Sequence, residues 1–218
     1  MNKEWPMQEQ SQNVNLIRMP NLITEKESKS LIEWFKNHKH LRQVGDGSDY
    51  RGIDLIHIHT NWVRDIFNRV GHDVTSEIYH AVGTRVYPEM TAINEWEIGG
   101  VQEPHLDTYS TVELDNNAIE ESPSREWTVI LYLNGHESFR GGETYFPEMG
   151  PTGTIIEPVA NEGIVFKGLE LKHGVYPVRR GSRFTISMWF SNNRENILTD
   201  ERTKDFSADH FKLRQNNP

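Results

Sequence analysis

The chain has 218 residues, enough for one domain with one substantial hydrophobic core. An apolar fraction of 35% and a charged fraction of 25% exclude an intrinsically disordered chain. A formal charge of −9 disfavours nucleic acid and anionic lipid as partners, and the lack of cysteine excludes disulfides, thiolate metal sites and cysteine nucleophiles. Residues 1–13, MNKEWPMQEQSQN, are polar and expected to be loose. They contain no apolar leader, and no run elsewhere approaches a membrane span, so a cytoplasmic chain without membrane contact is expected.

Taken in chain order, TEKESKSLIEWFKNHK is the first predicted helix. Thr24 and Glu27 have capping-box spacing, and Leu31, Ile32 and Phe35 form one apolar stripe. The turn-rich GDGSDYRG precedes a short alternating strand predicted from Ile53 to His59. Asn61 is the predicted cap of a second helix, in which Val63, Phe67, Val70, Val74 and Ile78 recur at helical spacing. From residue 84 the pattern changes to short apolar or alternating runs between Gly, Pro and Asn: RVYPEMTAINEWEI, WTVILYLN, TGTIIEPV, GIVFKG, KHGVYPV and RFTISMWF. Such runs predict an all-β sandwich or barrel behind the helices. The expected class is therefore α+β, mainly β. Its single domain comprises a helical N-terminal portion (1–83), a β core (84–191) and a C-terminal extension (192–218). The acidic stretch 108–126, TYSTVELDNNAIEESPSRE, is too long for a plain hairpin loop; it is either functional or a solvated excursion.

Two signals carry chemistry. In His105-Leu106-Asp107 an imidazole and a carboxylate two apart share one strand face and can grip one ion. Such pairs also arise by chance in a chain this rich in His and acids. His173 stands alone in Lys172-His173-Gly174, but Arg183 follows ten residues later and begins a strand. There Arg183, Thr185, Ser187 and Trp189 fall on one face and Phe184, Ile186 and Met188 on the other. Alternation alone does not choose between a solvent-facing polar row and a cavity lining with a cation, two hydroxyls and an aromatic wall. Two histidines and one carboxylate form the facial triad of non-haem iron(II) oxygenases, which leaves three coordination positions for a chelating 2-oxo acid and dioxygen. Arg183 is then suited to the far carboxylate of that acid, because its planar fork binds carboxylates bidentately.

Over about residues 86–191 the sequence resembles the prolyl 4-hydroxylase-like family of 2-oxoglutarate/Fe(II)-dependent dioxygenases. The resemblance rests on five segments in the family's order: EWEIGGVQEPHLD, LYLN, GGETYFP, PVANEGIVF and HGVYPVRRGSRFTISMW. It implies a double-stranded β-helix, a jelly-roll variant, with helices packed outside one sheet. It implies iron at His105, Asp107 and His173, with Arg183 and Tyr132 on the 2-oxoglutarate tail carboxylate. Thr185 or Ser187 adds a hydroxyl contact and Trp189 closes the pocket. It further implies Fe(II), 2-oxoglutarate as co-substrate, L-ascorbate as an accessory reductant, and a prolyl residue of a peptide or protein as substrate. Gly141 and Gly142 are read as backbone-geometry residues. Trp96 and Gln102 depart from the family, which often has tyrosine nine and three residues before the first ligand histidine. Both positions bear on the substrate side of the pocket.

Three other readings compete. One is hydroxylation of a free amino acid or other small molecule. Another is a cupin-like metal-binding non-oxygenase, suggested by His57-Ile58-His59, although the cupin glutamate does not follow. The third is a non-catalytic jelly-roll interaction module. Oligomeric state is not readable from the sequence.

Overall fold

The computed structural model describes residues 15–44, 50–107 and 125–192. Helix α1 spans Glu25–Asn37 and forms the predicted capping box: Thr24 accepts from the Glu27 backbone N–H, and the Glu27 carboxylate accepts from Thr24. Helix α2 spans Asn61–Val82 and ends on Gly83, whose left-handed φ of 72° suits glycine. Its N-cap is Thr60, not the predicted Asn61, and the Thr60 hydroxyl makes no cap bond because it accepts from Trp34 Nε1 at 2.9 Å.

In chain order the strands are β1 (Leu16–Met19), β2 (Gln43–Val44), β3 (Tyr50–Asp54), β4 (Tyr87–Trp96), β5 (Gln102–His105), β6 (Arg125–Tyr132), β7 (Arg140–Gly141), β8 (Thr144–Phe146), β9 (Thr154–Ile156), β10 (Gly163–Lys167), β11 (His173–Val175), β12 (Val178–Arg180) and β13 (Arg183–Ser191). A seven-stranded sheet runs β1-β10-β6-β13-β4-β3-β2, a four-stranded sheet runs β5-β11-β8-β9, and β7 pairs with β12. All pairs are antiparallel. From β4 onward the chain passes back and forth between the two larger sheets, which is the winding of a jelly roll, the double-stranded β-helix expected from the sequence.

The N-terminal portion is not purely helical, since it contributes β1, β2 and β3 to the large sheet. These strands are too short to declare themselves by alternation and exist through pairing with β10 and β4. The strand predicted over 53–59 lies earlier. Leu55–His57 close into a 3₁₀ turn that buries Leu55 and Ile58 three residues apart, so His57 and His59 share no strand face. The acidic stretch ends sooner than its sequence suggests, because Arg125 and Glu126 begin β6; residues 108–124, like 1–14, 45–49 and the extension from 193, lie outside the described residues.

Alternation divides β13 between two environments. Phe184, Ile186, Met188 and Phe190 enter a core shared with α1 and α2 through Leu31, Phe35, Val63, Phe67, Val70, Val74 and Ile78. Arg183, Thr185, Ser187 and Trp189 face the space between the sheets, and Arg183 and Thr185 are each only 1% exposed. This face of the strand is thus an inward-facing wall and not a solvent-facing polar row. Phe35 meets Phe184 edge-on at 6.0 Å, and Arg42 lies over the Phe35 ring while pairing with Glu95 of β4 at 3.0 Å. Phe35→Ala is expected to lower unfolding free energy by about 3–5 kcal/mol, the cost of a large buried cavity, as measured by urea denaturation. A change below about 1 kcal/mol would show that α1 is not integral to this core.

Candidate active site

The two histidines are brought together by strand register. β11 pairs with β5 so that His173 lies opposite His105, and the ring centroids are 4.4 Å apart. Each Nδ1 is next to a backbone carbonyl, His105 to Glu103 at 3.0 Å and His173 to Leu171 at 3.1 Å. A carbonyl only accepts, so both rings donate from Nδ1 and present the Nε2 lone pair inward. Asp107 follows β5 by two residues, and its backbone N–H donates to Gly168 at 2.9 Å. Its carboxylate oxygens lie 3.6 Å from His105 Nε2 and 3.7 Å from His173 Nε2, and the Thr128 hydroxyl of β6 donates to Oδ2. Among the described residues this is the one group of three His, Cys, Asp or Glu ligand atoms gathered within 4.8 Å. His57 is not part of it; its Nε2 meets Gln43 at 3.0 Å.

Electrostatics follow burial and pairing. Burial opposes the charged form of Asp107, yet its contacts with His105 and His173 and the hydrogen bond from Thr128 hold its carboxyl below the ordinary value. Burial pushes His173 below the ordinary histidine value, so it stays neutral and available as a donor. Burial also acts to lower His105, but its bonds to Asp107 and to the Glu103 carbonyl prevail and raise it. Two neutral-capable imidazoles and a carboxylate on one side of a point suit a divalent cation that keeps open positions.

A second polar group lies on the facing wall, on β13 and β6 of the large sheet. Arg183 is fully enclosed between the Trp96 and Tyr132 rings, its guanidinium carbon 5.4 and 5.3 Å from their centroids. Nη2 donates to Thr144 at 3.3 Å, and Thr144 shares a 2.7 Å hydrogen bond with the Tyr132 hydroxyl. Burial raises Tyr132, keeping it a neutral phenol, and lowers Arg183. Arg183 Nε has no partner, and no carboxylate is within ion-pair distance of this guanidinium among the described residues. A buried cation of this kind calls for an anion, and a carboxylate-bearing ligand fits. Thr185 Oγ1 is buried without a partner, whereas the Ser187 hydroxyl accepts from Asn94 at 3.0 Å, so Thr185 is the hydroxyl left for a ligand. Trp189 lies further along the wall, under the Arg125 guanidinium at 5.1 Å.

Three contributors are not singled out by the sequence: Thr128, Thr144 and Gly168. Thr144 lies within GGETYFP, where alternation turns Thr144 and Phe146 inward and could have flagged it. Gly141 and Gly142 do serve geometry, at φ of 76° and 67°, and a Cβ on Gly142 would stand 2.9 Å from Arg183 Cδ. Gly168 has no local signal, because its role depends on the contact between sheets.

Residues 91–191 match the model of the 2OG-Fe(II) oxygenase superfamily. Human prolyl 3-hydroxylase 1 is 34% identical over 148 residues, 59% of this chain but 19% of that protein. The chain thus spans about a fifth of the length of that curated relative. Among solved structures, a Pseudomonas putida prolyl-4-hydroxylase superposes with a TM-score of 0.62 at 16% identity, covering 82% of this chain and 93% of that one. A Trichoplax adhaerens prolyl hydroxylase, solved with a hypoxia inducible factor peptide fragment, gives 0.67 at 15% identity, with 87% and 89% covered. The matched segment, just under half of the chain, contains His105, Asp107, His173 and Arg183. The relatives and solved structures named above, to which the chain is similar, are prolyl hydroxylases by name.

Gly168→Ala tests the seating of Asp107. The added Cβ would stand 2.8 Å from Asp107 Oδ2 and against the Thr128 hydroxyl. Metal affinity, measured by Co(II) titration, is expected to fall about 10–100-fold while the fold persists by circular dichroism. Unchanged affinity would mean that Asp107 is not held by this seam.

Proposed function

We propose that this chain is a 2-oxoglutarate- and Fe(II)-dependent hydroxylase acting on a prolyl residue in a peptide or protein. The observation that carries the oxygenase reading is the pairing, in one pocket, of the His105, Asp107 and His173 cluster with the buried, carboxylate-free guanidinium of Arg183. A cupin-like metal protein has no need of that guanidinium, and an interaction module needs neither.

In this reading His105, Asp107 and His173 hold iron through two Nε2 atoms and a carboxylate oxygen. Arg183, Tyr132 and Thr144 hold the tail carboxylate of 2-oxoglutarate, with Thr185 beside them. Iron(II) with 2-oxoglutarate, when bound, supplies dioxygen activation coupled to decarboxylation of the oxo acid to succinate, and hydroxylation of a substrate C–H bond. The chain's own part is placement. Arg183 offers its charge in a site shielded from water, where it is worth more than at the surface. Thr128 fixes the rotamer of Asp107, and the backbone carbonyls of Glu103 and Leu171 fix both imidazole tautomers.

The prolyl substrate is supported by the names of the similar proteins, a human prolyl 3-hydroxylase and a bacterial prolyl-4-hydroxylase, and by the peptide bound to the Trichoplax enzyme. Because those names differ in the carbon they specify, the hydroxylated position is assigned by product analysis. The test is 2-oxoglutarate conversion to succinate against a panel of proline-containing peptides and free amino acids. Hydroxylation of small molecules alone would remove the peptide substrate and keep the oxygenase.

Two sets of variants test the site. Asp107→Ala and His173→Ala are each expected to abolish Fe(II) binding and succinate formation, whereas His57→Ala leaves Fe(II) binding near the wild-type value; an equal loss in His57→Ala would mean the metal is assigned wrongly. Arg183→Ala is expected to weaken 2-oxoglutarate by about 2–5 kcal/mol in an anaerobic titration, with iron still bound. Unchanged 2-oxoglutarate affinity would return the cupin reading.

A further inference from the structure

The inner wall of the large sheet continues past β13 and β4 onto β3. Register partners in an antiparallel sheet stand on the same face. Ile53 pairs with Ile93, and both are buried in the helix-side core. The alternate residues Tyr50, Gly52 and Asp54 therefore stand on the pocket side. Two contacts agree: the Tyr50 ring lies 4.9 Å from that of Trp96, and a Cβ on Gly52 would be 2.7 Å from Asn94 Oδ1. Asp54 pairs with Ala92, and Ala92 with Ser187, so one row crosses from β13 to a carboxylate on β3.

Asp54 is half-buried, and its side chain has no hydrogen bond or ion pair with any described residue. The neighbouring His57 favours the charged carboxylate electrostatically, but its ring Nε2 meets Gln43 and makes no hydrogen bond to Asp54. Diagonal to Asp54, Asn94 Oδ1 is buried without a partner while its amide nitrogen serves Ser187. This stretch of wall thus offers two acceptors, Asp54 and Asn94 Oδ1, without a hydrogen-bond partner among the described residues. The segment joining β2 to β3 (45–49) contains Asp46 and Asp49, and the segment joining Asp107 to β6 (108–124) contains Glu113, Asp115, Glu120 and Glu121; neither contains a lysine or arginine.

We propose that Asp54 is a specificity-determining residue that seats a cationic group of the substrate, an ammonium or guanidinium, with Asn94 Oδ1 as a second acceptor. The proposal rests on the peptide-hydroxylase reading above. Strand spacing sets its reach. β3 is three strands from β6, whose Thr128 holds Asp107, and three spacings make about 14 Å across the sheet. A four-carbon lysine stem together with about two or three extended residues covers that distance. The substrate expected is therefore a peptide with a basic residue about two or three positions from the oxidised one. Burial also lifts the Asp54 carboxyl above its ordinary value, a cost that a bound cation would offset.

The test uses synthetic prolyl peptides identical except for lysine or glutamate two or three residues from the proline, on either side. Binding to the full chain with 2-oxoglutarate is read by tryptophan fluorescence without iron, and oxidation is read separately with iron. The best lysine peptide is expected to bind about tenfold tighter than its glutamate twin. Asp54→Asn should bring the two peptides level, and Asp54→Lys should invert the order, with thermal midpoints confirming that both variants fold. Equal binding by the wild type, no binding of any charged peptide, or a preference that survives in Asp54→Asn overturns the subsite. Oxidation without an Asp54-dependent preference removes the subsite and keeps the hydroxylase. An Asp54-dependent preference without oxidation keeps the subsite and removes the hydroxylase.

Discussion

Asp107 is held at the seam between the two sheets. It belongs to the chain leaving β5 of the small sheet, yet its carboxylate accepts from Thr128 on the large sheet and its N–H donates to Gly168 at the end of β10. That set of bonds fixes how one sheet sits over the other at the place where the two histidines meet. It also lets a carboxylate remain charged in a buried location, because the Thr128 hydroxyl and the two imidazoles beside it outweigh its desolvation. The close approach requires a residue without a side chain at 168, so the metal-ligand geometry and the sheet packing are one constraint.

A parallel logic governs β13. One strand supplies four apolar residues to the helix-side core and four polar or aromatic residues to the space between the sheets, so no change of register is available to it. A slip by one residue would bury Arg183 among α1 and α2 and expose Phe184 to the co-substrate. Stability and chemistry are thereby tied to the same period-two pattern, which is why this segment is so informative as bare sequence.

What the sequence discloses follows from range. Local devices are readable: the Thr24–Glu27 capping box, the helical stripe from Val63 to Ile78, the alternation of β13, and the same-face geometry of His105 and Asp107. The resemblance to oxygenases joins His173 to them, and strand register accounts for the meeting. Features that depend on distant pairing are not readable. β1 exists through β10, Thr128 matters only because Asp107 lies above it, and Thr60 loses its capping role to a tryptophan 26 residues earlier. His57 and His59 mislead for the same reason, since burial of Leu55 and Ile58 bends the chain out of the strand that their spacing suggests.

The docking of α1 and α2 has a consequence for how this unit can be inherited or moved. The segment that matches the superfamily, 91–191, contains all three candidate ligands and Arg183, yet its outer face is Phe184, Ile186, Met188 and Phe190 together with Ile93, Val129 and Leu131. Cut from the helices, that face would be a contiguous greasy surface of the kind that drives self-association. It would also lose the edge strands β1 to β3 that flank the large sheet, exposing unpaired backbone on β10 and β4. The portable module is therefore the β core together with its preceding helices and strands, and shuffling or recombination inside that boundary is expected to yield an aggregate and not a smaller folded unit.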